Sequence, residues 1–157
     1  MVKTNAMRIL DTRKIPYEVK EYDTSDGRLD GVSAANKVGL SPEEVFKTLV
    51  CQSNDREFVV FVIPVAEELD LKKAARAAGV KNVAMIPQKL LLPNTGYIHG
   101  GCSPIGMKKL YRTFIDETAQ LVDKIAVSAG RVGEQVLLAP DDLAQTVDAQ
   151  YCDLTRD

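Results

Sequence analysis

Five residues combine a type and a placement suited to act on a substrate: Lys47, His99, Gly100, Gly101 and Cys102. Lys47 stands out because it interrupts an apolar alternation. Over Phe46 to Gln52, Phe46, Thr48 and Val50 share one face and Lys47, Leu49 and Cys51 the other, which sets an ammonium beside apolar side chains. A charge so placed is costly unless an anionic or strongly polar group meets it, and its pKa falls if none does. The plainer alternative is that Lys47 lies at the strand end and reaches water.

The run Gly100-Gly101-Cys102-Ser103-Pro104-Ile105-Gly106, led in by Thr95-Gly96-Tyr97-Ile98-His99, breaks helix and strand alike. Such a loop brings main-chain N–H groups close to an anion or carbonyl, or it is only a tight turn between strands. His99 and Cys102 suggest a thiol nucleophile. A thiol needs an oriented base and a third group to orient that base, and this spacing guarantees neither, so the simpler reading packs Cys102 as a small residue. No nucleotide-binding fingerprint, Gly-Lys-Ser loop or G-x-S-x-G elbow occurs. With His99 the single histidine, and with Cys51, Cys102 and Cys152 lacking metal-ligand spacing, neither a metal nor a cofactor is expected.

The elements that must position these groups follow from periodicity and punctuation. Thr4 caps a short amphipathic helix carrying Met7 and Leu10 on one face and closed by Pro16. Tyr17 to Tyr22 alternates as a strand, with Tyr22 pointing away from the Tyr17 and Val19 face. A helix from Ser33 to Val38 ends at Gly39, and Ser41-Pro42-Glu43-Glu44 reads as another helical first turn. Strands follow at Phe46 to Gln52 and Phe58 to Val65, the second apolar on both faces and therefore central.

Asp70 caps a helix from Leu71 to Ala78 that Gly79 ends, with Lys72 and Arg76 one turn apart and Lys73 beside them. A strand is expected at Val83 to Ile86 and a helical turn at Gln88 to Leu92. Lys108, Lys109 and Arg112 form a second basic group next to the glycine loop. Strands at Thr113 to Asp116, Ile125 to Val127 and Val136 to Leu138 frame a hairpin turn at Ser128 to Gly133; Pro140 to Val147 is a closing helix and Tyr151 to Leu154 an edge strand. Short strands interspersed with helices predict a single α/β domain, residues 1–157, with a mixed, curled sheet.

Composition narrows the partners. A chain of 157 residues that is 45% hydrophobic can bury a core without staples. Its net charge of −2 argues against nucleic-acid binding through bulk positive charge, so such a partner must meet a local basic patch. Three cysteines with no signal peptide and no long apolar run suggest free thiols in a reducing cytoplasm, away from membranes.

Four segments together carry a resemblance: Phe46-Lys47-Thr48-Leu49; Pro64-Val65-Ala66 with Leu69-Asp70-Leu71-Lys72-Lys73; Thr95-Gly96-Tyr97 with the Gly100 to Gly106 loop; and Val127-Ser128-Ala129-Gly130. In register over nearly the whole chain, they resemble the YbaK/EbsC family of free-standing aminoacyl-tRNA deacylases, similar to the editing domain inserted in bacterial prolyl-tRNA synthetase. The resemblance implies a distorted, barrel-like mixed sheet with flanking helices, and trans-editing of Cys-tRNA(Pro) by hydrolase or lyase chemistry on the aminoacyl ester. The synthetase cannot exclude cysteine by size. It further implies Lys47 as the central functional lysine, Gly100 and Gly101 along the aminoacyl pocket, and Tyr22, Thr48 and Ser128 near it. Gln135 is counted with them as a substrate-binding residue, although it stands where some members carry an acid, and Val132 stands where many carry a base.

By the same resemblance the substrate's own thiol attacks the ester, or a bound water does so with help from a ribose hydroxyl. The partners implied are the acceptor end of tRNA(Pro) and prolyl-tRNA synthetase, with Lys72, Lys73, Arg76, Lys108 and Lys109 as the tRNA contacts. Alternatives are another mischarged substrate such as Ala-tRNA(Pro), a non-catalytic module that grips tRNA ends or the synthetase, and a redox-sensing thiol protein.

Overall fold

A computed structural model describes residues 2–28 and 30–157. Thr4 accepts a hydrogen bond from the Met7 N–H and opens α1 (Asn5–Thr12), which buries Ala6, Met7 and Leu10. β1 (Glu18–Glu21) follows. α2 (Gly31–Val38) begins two residues earlier than Ser33, because the Asp30 carboxylate accepts from the Ser33 N–H; Gly39 ends it in the left-handed conformation. Ser41 to Glu44 forms a turn and not a helix, since the chain must straighten at once for Val45 to bridge Ala126.

β2 (Phe46–Ser53) and β3 (Phe58–Pro64) pair antiparallel. α3 (Leu71–Ala78) has the expected Asp70 cap and Gly79 stop. β4 (Val83–Met85) and α4 (Leu91–Thr95) lead into the glycine loop. The remainder is β5 (Arg112–Asp116), β6 (Ile125–Ser128), β7 (Glu134–Leu138), α5 (Pro140–Val147) and β8 (Gln150–Cys152).

The strands make two sheets. One runs β4-β2-β3-β5-β8, mixed because β5 is parallel to both its neighbours; the other runs β1-β7-β6, antiparallel throughout. They meet at the Val45–Ala126 bridge and do not close into a barrel, so the expected mixed, curled arrangement is present as two sheets. β8 is an edge strand, as its pattern suggested.

The main core lies between the sheets. Phe46, Val50, Val60 and Val62 face Ile125, Val127, Val136 and Leu138, with α1 and α5 closing the ends. α3 covers the opposite face of the larger sheet through Ala74, Ala75 and Ala78 against Cys51, Val59, Phe61 and Ile63. β3 is therefore buried on both sides, as a central strand requires. α2 packs Ala35 on Val45, Val65, Ala126 and Leu137, at the seam between the sheets. No helix among the described residues is long and apolar enough to cross a membrane.

Candidate active site

A cavity of about 490 Å³ opens at that seam, where α2, β2, the glycine loop and the β6–β7 hairpin converge. Tyr22, Lys47, Thr48, Gly100, Ser128 and Gln135 all line it, so residues far apart in sequence arrive at one place.

Lys47 is half-buried, and desolvation pulls its pKa below the ordinary lysine value, with Glu68 and then Glu67 opposing the shift from a distance. Its ammonium has no ion-pair partner among the described residues, and the Glu68 carboxylate is already bonded to Arg156 at 3.0 Å. A cation that is partly dehydrated and unpaired is available to an incoming anion or carbonyl oxygen. Thr48 Oγ1 and Gln135 Oε1 are buried with no hydrogen-bond partner, and Gln135 is only 6% exposed. Buried polar atoms are seldom left unmatched, so these two are free to take a polar group that enters the cavity. The Ser128 hydroxyl accepts from the Gly130 N–H at 3.2 Å and keeps its own proton free to donate.

The glycine loop divides its labour. Gly100, at φ +86°, lines the cavity, and neither its N–H nor that of Cys102 has a partner among the described residues. Gly101 is buried and does not line the cavity, and its N–H bonds to the Ile98 carbonyl at 3.0 Å. Its lack of a side chain serves packing, because a Cβ there would stand 3.0 Å from the Val132 nitrogen. Tyr97 locks the loop in place: its hydroxyl donates to the Ile105 carbonyl, and its ring lies where a Gly130 side chain would be. Tyr22 is positioned by its N–H to the Gly133 carbonyl at 2.9 Å and by Lys37, whose ammonium lies 5.9 Å from the ring centre and bonds Asp26 at 2.9 Å.

Cys102 also lines the cavity, but burial pushes its thiol pKa up to about 12 and no hydrogen bond joins it to His99. No positive charge lowers it, and only a contact with Thr95 opposes the effect of burial, so the thiol is not activated as a nucleophile. His99 stands exposed at the cavity wall.

None of the five proposed tRNA-contact residues lines the cavity. Lys72 and Arg76 are exposed on α3, and Lys109 is exposed beyond the loop. Lys108 bonds the Pro93 carbonyl at 3.1 Å. Lys73 faces the C-terminal segment, 3.0 Å from Asp153 and 2.9 Å from Asp157, and also donates to the Thr155 carbonyl. Sequence reasoning missed Asp30 and Gly31 at the head of α2, and the apolar wall of Met85, Ile86 and Leu91. Asp30 carried a signal, since an aspartate three residues before Ser33 is a cap pattern; the apolar wall carried none.

Fold and site together define a single-domain α/β protein with a cavity at the seam of its sheets, lined by a lysine and free main-chain amides and, among the described residues, by no activated nucleophile. Residues 30–146 match the aminoacyl-tRNA editing domain, and the chain belongs to that family. It is 46% identical over 153 residues to a protein of Enterococcus faecalis with the provisional name Cys-tRNA(Pro)/Cys-tRNA(Cys) deacylase EbsC, covering 98% of this chain and 93% of that one. It is 23% identical over 128 residues to the Bacillus subtilis protein YwhH, which is uncharacterised, covering 82% and 80% of the two chains. Its fold is that of a crystal structure provisionally titled a trans-editing enzyme for prolyl-tRNA synthetase, with a TM-score of 0.85, 23% identity and coverage of 99% and 100%.

Proposed function

We propose that the protein deacylates mischarged Cys-tRNA(Pro) in trans. The observation that carries this is the unpaired, half-buried Lys47 in a cavity whose Gly100 and Cys102 amides are free and whose one cysteine is unactivated. Lys47 and the amides receive the ester carbonyl oxygen as it gains negative charge. Thr48, Ser128, Gln135 and Tyr22 hold the aminoacyl group and ribose. With no protein nucleophile, the thiol of the bound cysteine attacks its own ester carbon. A carbon–sulfur bond forms, the carbon–oxygen bond to ribose breaks, the thiol proton passes to the ribose oxygen, and water later opens the cyclic thioester released. The enzyme's part is to hold sulfur and carbonyl in attack geometry.

Deacylation of Cys-, Ala- and Pro-tRNA(Pro) by the purified protein tests this. Turnover of the cysteinyl substrate alone supports it; equal turnover of the alanyl substrate removes the thiol from the mechanism; binding without turnover makes the protein a non-catalytic module. Cys102→Ala should keep at least about half the wild-type rate, because a thiol held neutral by burial does no attacking. An inactive Cys102→Ala, with an acyl-enzyme trapped and weighed by mass spectrometry, would overturn the assignment.

The acidic chain should bind free tRNA weakly, relying on Lys72, Arg76, Lys108 and Lys109, with prolyl-tRNA synthetase as the partner that brings substrate close. Replacing any one of these phosphate-facing side chains with alanine should flatten the plot of log affinity against log salt by about one unit. Lys73→Ala should act differently, lowering the melting temperature while leaving the salt slope alone, because its charge is already matched by Asp153 and Asp157. A salt-independent, tight complex with isolated tRNA would contradict this arrangement.

A further inference from the structure

We infer that Asp30, at the head of α2, receives the α-ammonium of the aminoacyl group, so that the cavity takes aminoacyl esters with a free amine and refuses those whose nitrogen is acylated, as in peptidyl-tRNA. The inference rests on the aminoacyl-tRNA reading above and narrows its substrate class.

Among the described residues that line the cavity, Asp30 is the one carboxylate and Lys47 the one lysine or arginine. They are not partners. No ion pair joins Asp30 to any described residue, the carboxylates that act on Lys47 are Glu68 and Glu67, and the cation that acts on Asp30 is Arg28. One positive and one negative charge therefore face the same cavity without neutralising each other.

Asp30 is exposed at the cavity mouth and stays ionised. The Ser33 N–H, which donates to its Oδ2 at 3.0 Å, is the chief cause that holds the carboxyl below the usual aspartate value. A carboxylate has about four acceptor sites, so the cap leaves capacity for a ligand. There is also room for one. The other α2 residues that line the cavity are Gly31 and Ala34, the smallest a helix can carry, so α2 fills little of the space beside the carboxylate.

Independently of Asp30, Gln135 points to a polar ligand: it is 6% exposed, and its Oε1, like the Thr48 Oγ1, is buried without a hydrogen-bond partner. These neutral acceptors suit a hydroxyl, whereas a full cation is better matched by a carboxylate. An aminoacyl ester carries the complementary pair, a carbonyl oxygen that gains negative charge on attack and an ammonium on the adjacent carbon. Lys47 attracts the first and repels the second, and Asp30 does the reverse, so together they fix which way round the group lies. An acylated nitrogen has no charge to offer and brings added bulk.

The experiment is a calorimetric titration of the full chain, wild type and Asp30→Asn, at about pH 6.5, where an α-amine is protonated. The ligands are 3′-cysteinylamino-3′-deoxyadenosine, whose amide link resists cleavage, its 3-mercaptopropionyl counterpart, which lacks the amine, and its N-acetyl form. Asparagine caps a helix as well as aspartate does, so the variant keeps α2 and loses the charge. Wild type should bind the first ligand at least about fivefold more tightly than the other two, the upper end for an ion pair that water reaches. Asp30→Asn should lose that factor on the first ligand and bind the second as wild type does. Equal weakening of the first two, an unchanged affinity for the first, or wild-type binding that ignores the amine would overturn the inference. The readout needs no turnover, so its failure is separable from that of the proposed function. If Cys-tRNA(Pro) is deacylated while binding ignores the amine, only the role of Asp30 falls; if the titration behaves as stated and no aminoacyl-tRNA is hydrolysed, only the activity falls.

Discussion

Lys47→Ala should lower the rate of Cys-tRNA(Pro) deacylation by about 10²–10³-fold, the loss typical when one donor to a developing oxyanion is removed, while the chain stays folded. The side chain sits half-buried with no ion-pair partner among the described residues, so its deletion leaves no carboxylate stranded. Lys47→Met separates function from stability more sharply. It keeps the apolar stem and removes the dehydrated charge, and should raise stability by about 0.5–2 kcal/mol while being as inactive as alanine.

The pH dependence of that gain has a definite sign. Burial depresses the folded-state pKa below the unfolded value, so wild type carries its penalty in full below the folded pKa and loses it as pH rises through that value. The advantage of methionine should therefore be largest near neutrality and shrink in alkali, as thermal melts across pH would show. If Lys47→Ala instead retains full activity, or unfolds, the lysine is structural.

Gly31→Ala should cost about 1–3 kcal/mol and take activity with it. A Cβ at Gly31 would fall 2.4 Å from Val65 Cγ1 and 2.6 Å from Val65 Cβ, closer than atoms can sit. Val65 is branched at Cβ and 8% exposed, packed with Ala35, Val45, Ala126 and Leu137, so it has little freedom to turn aside. The strain must move the start of α2, and with it Asp30 and Ala34, which line the cavity. The melting temperature should fall by about 2–4 °C per kcal/mol, with kcat declining beyond the change in folded fraction. Wild-type stability and rate in Gly31→Ala would show that α2 and Val65 adapt freely.

Local chemistry was the legible part of the sequence. Asp70 and Gly79 bound α3 because a cap and a left-handed stop are properties of a few adjacent residues. Lys47 was conspicuous because one charge breaks a period-two pattern, and its depressed pKa follows from the burial that pattern implies.

What escaped depended on partners distant in the chain. Ser41 to Glu44 has the residues of a helical first turn, but the Val45–Ala126 bridge overrides local preference. Gly100 and Gly101 look alike in sequence, and only the Val132 backbone packed against the second assigns one to the cavity and the other to packing. Lys72 and Lys73 likewise look alike until Asp153 and Asp157 claim the second.

The β1–β7 ladder, which joins Glu18 to Leu137 and Glu21 to Glu134, also governs the order in which the protein can become competent. The β2–β3 hairpin that carries Lys47 is local and closes early, whereas Tyr22 and Gln135 reach one cavity only when the two ends of a very long loop come together, a slow event for an unfolded chain. A partly folded or nascent chain would thus display the lysine without the pocket. Editing competence should appear only with the final kinetic phase of refolding, and a chain released before β7 is made should have none.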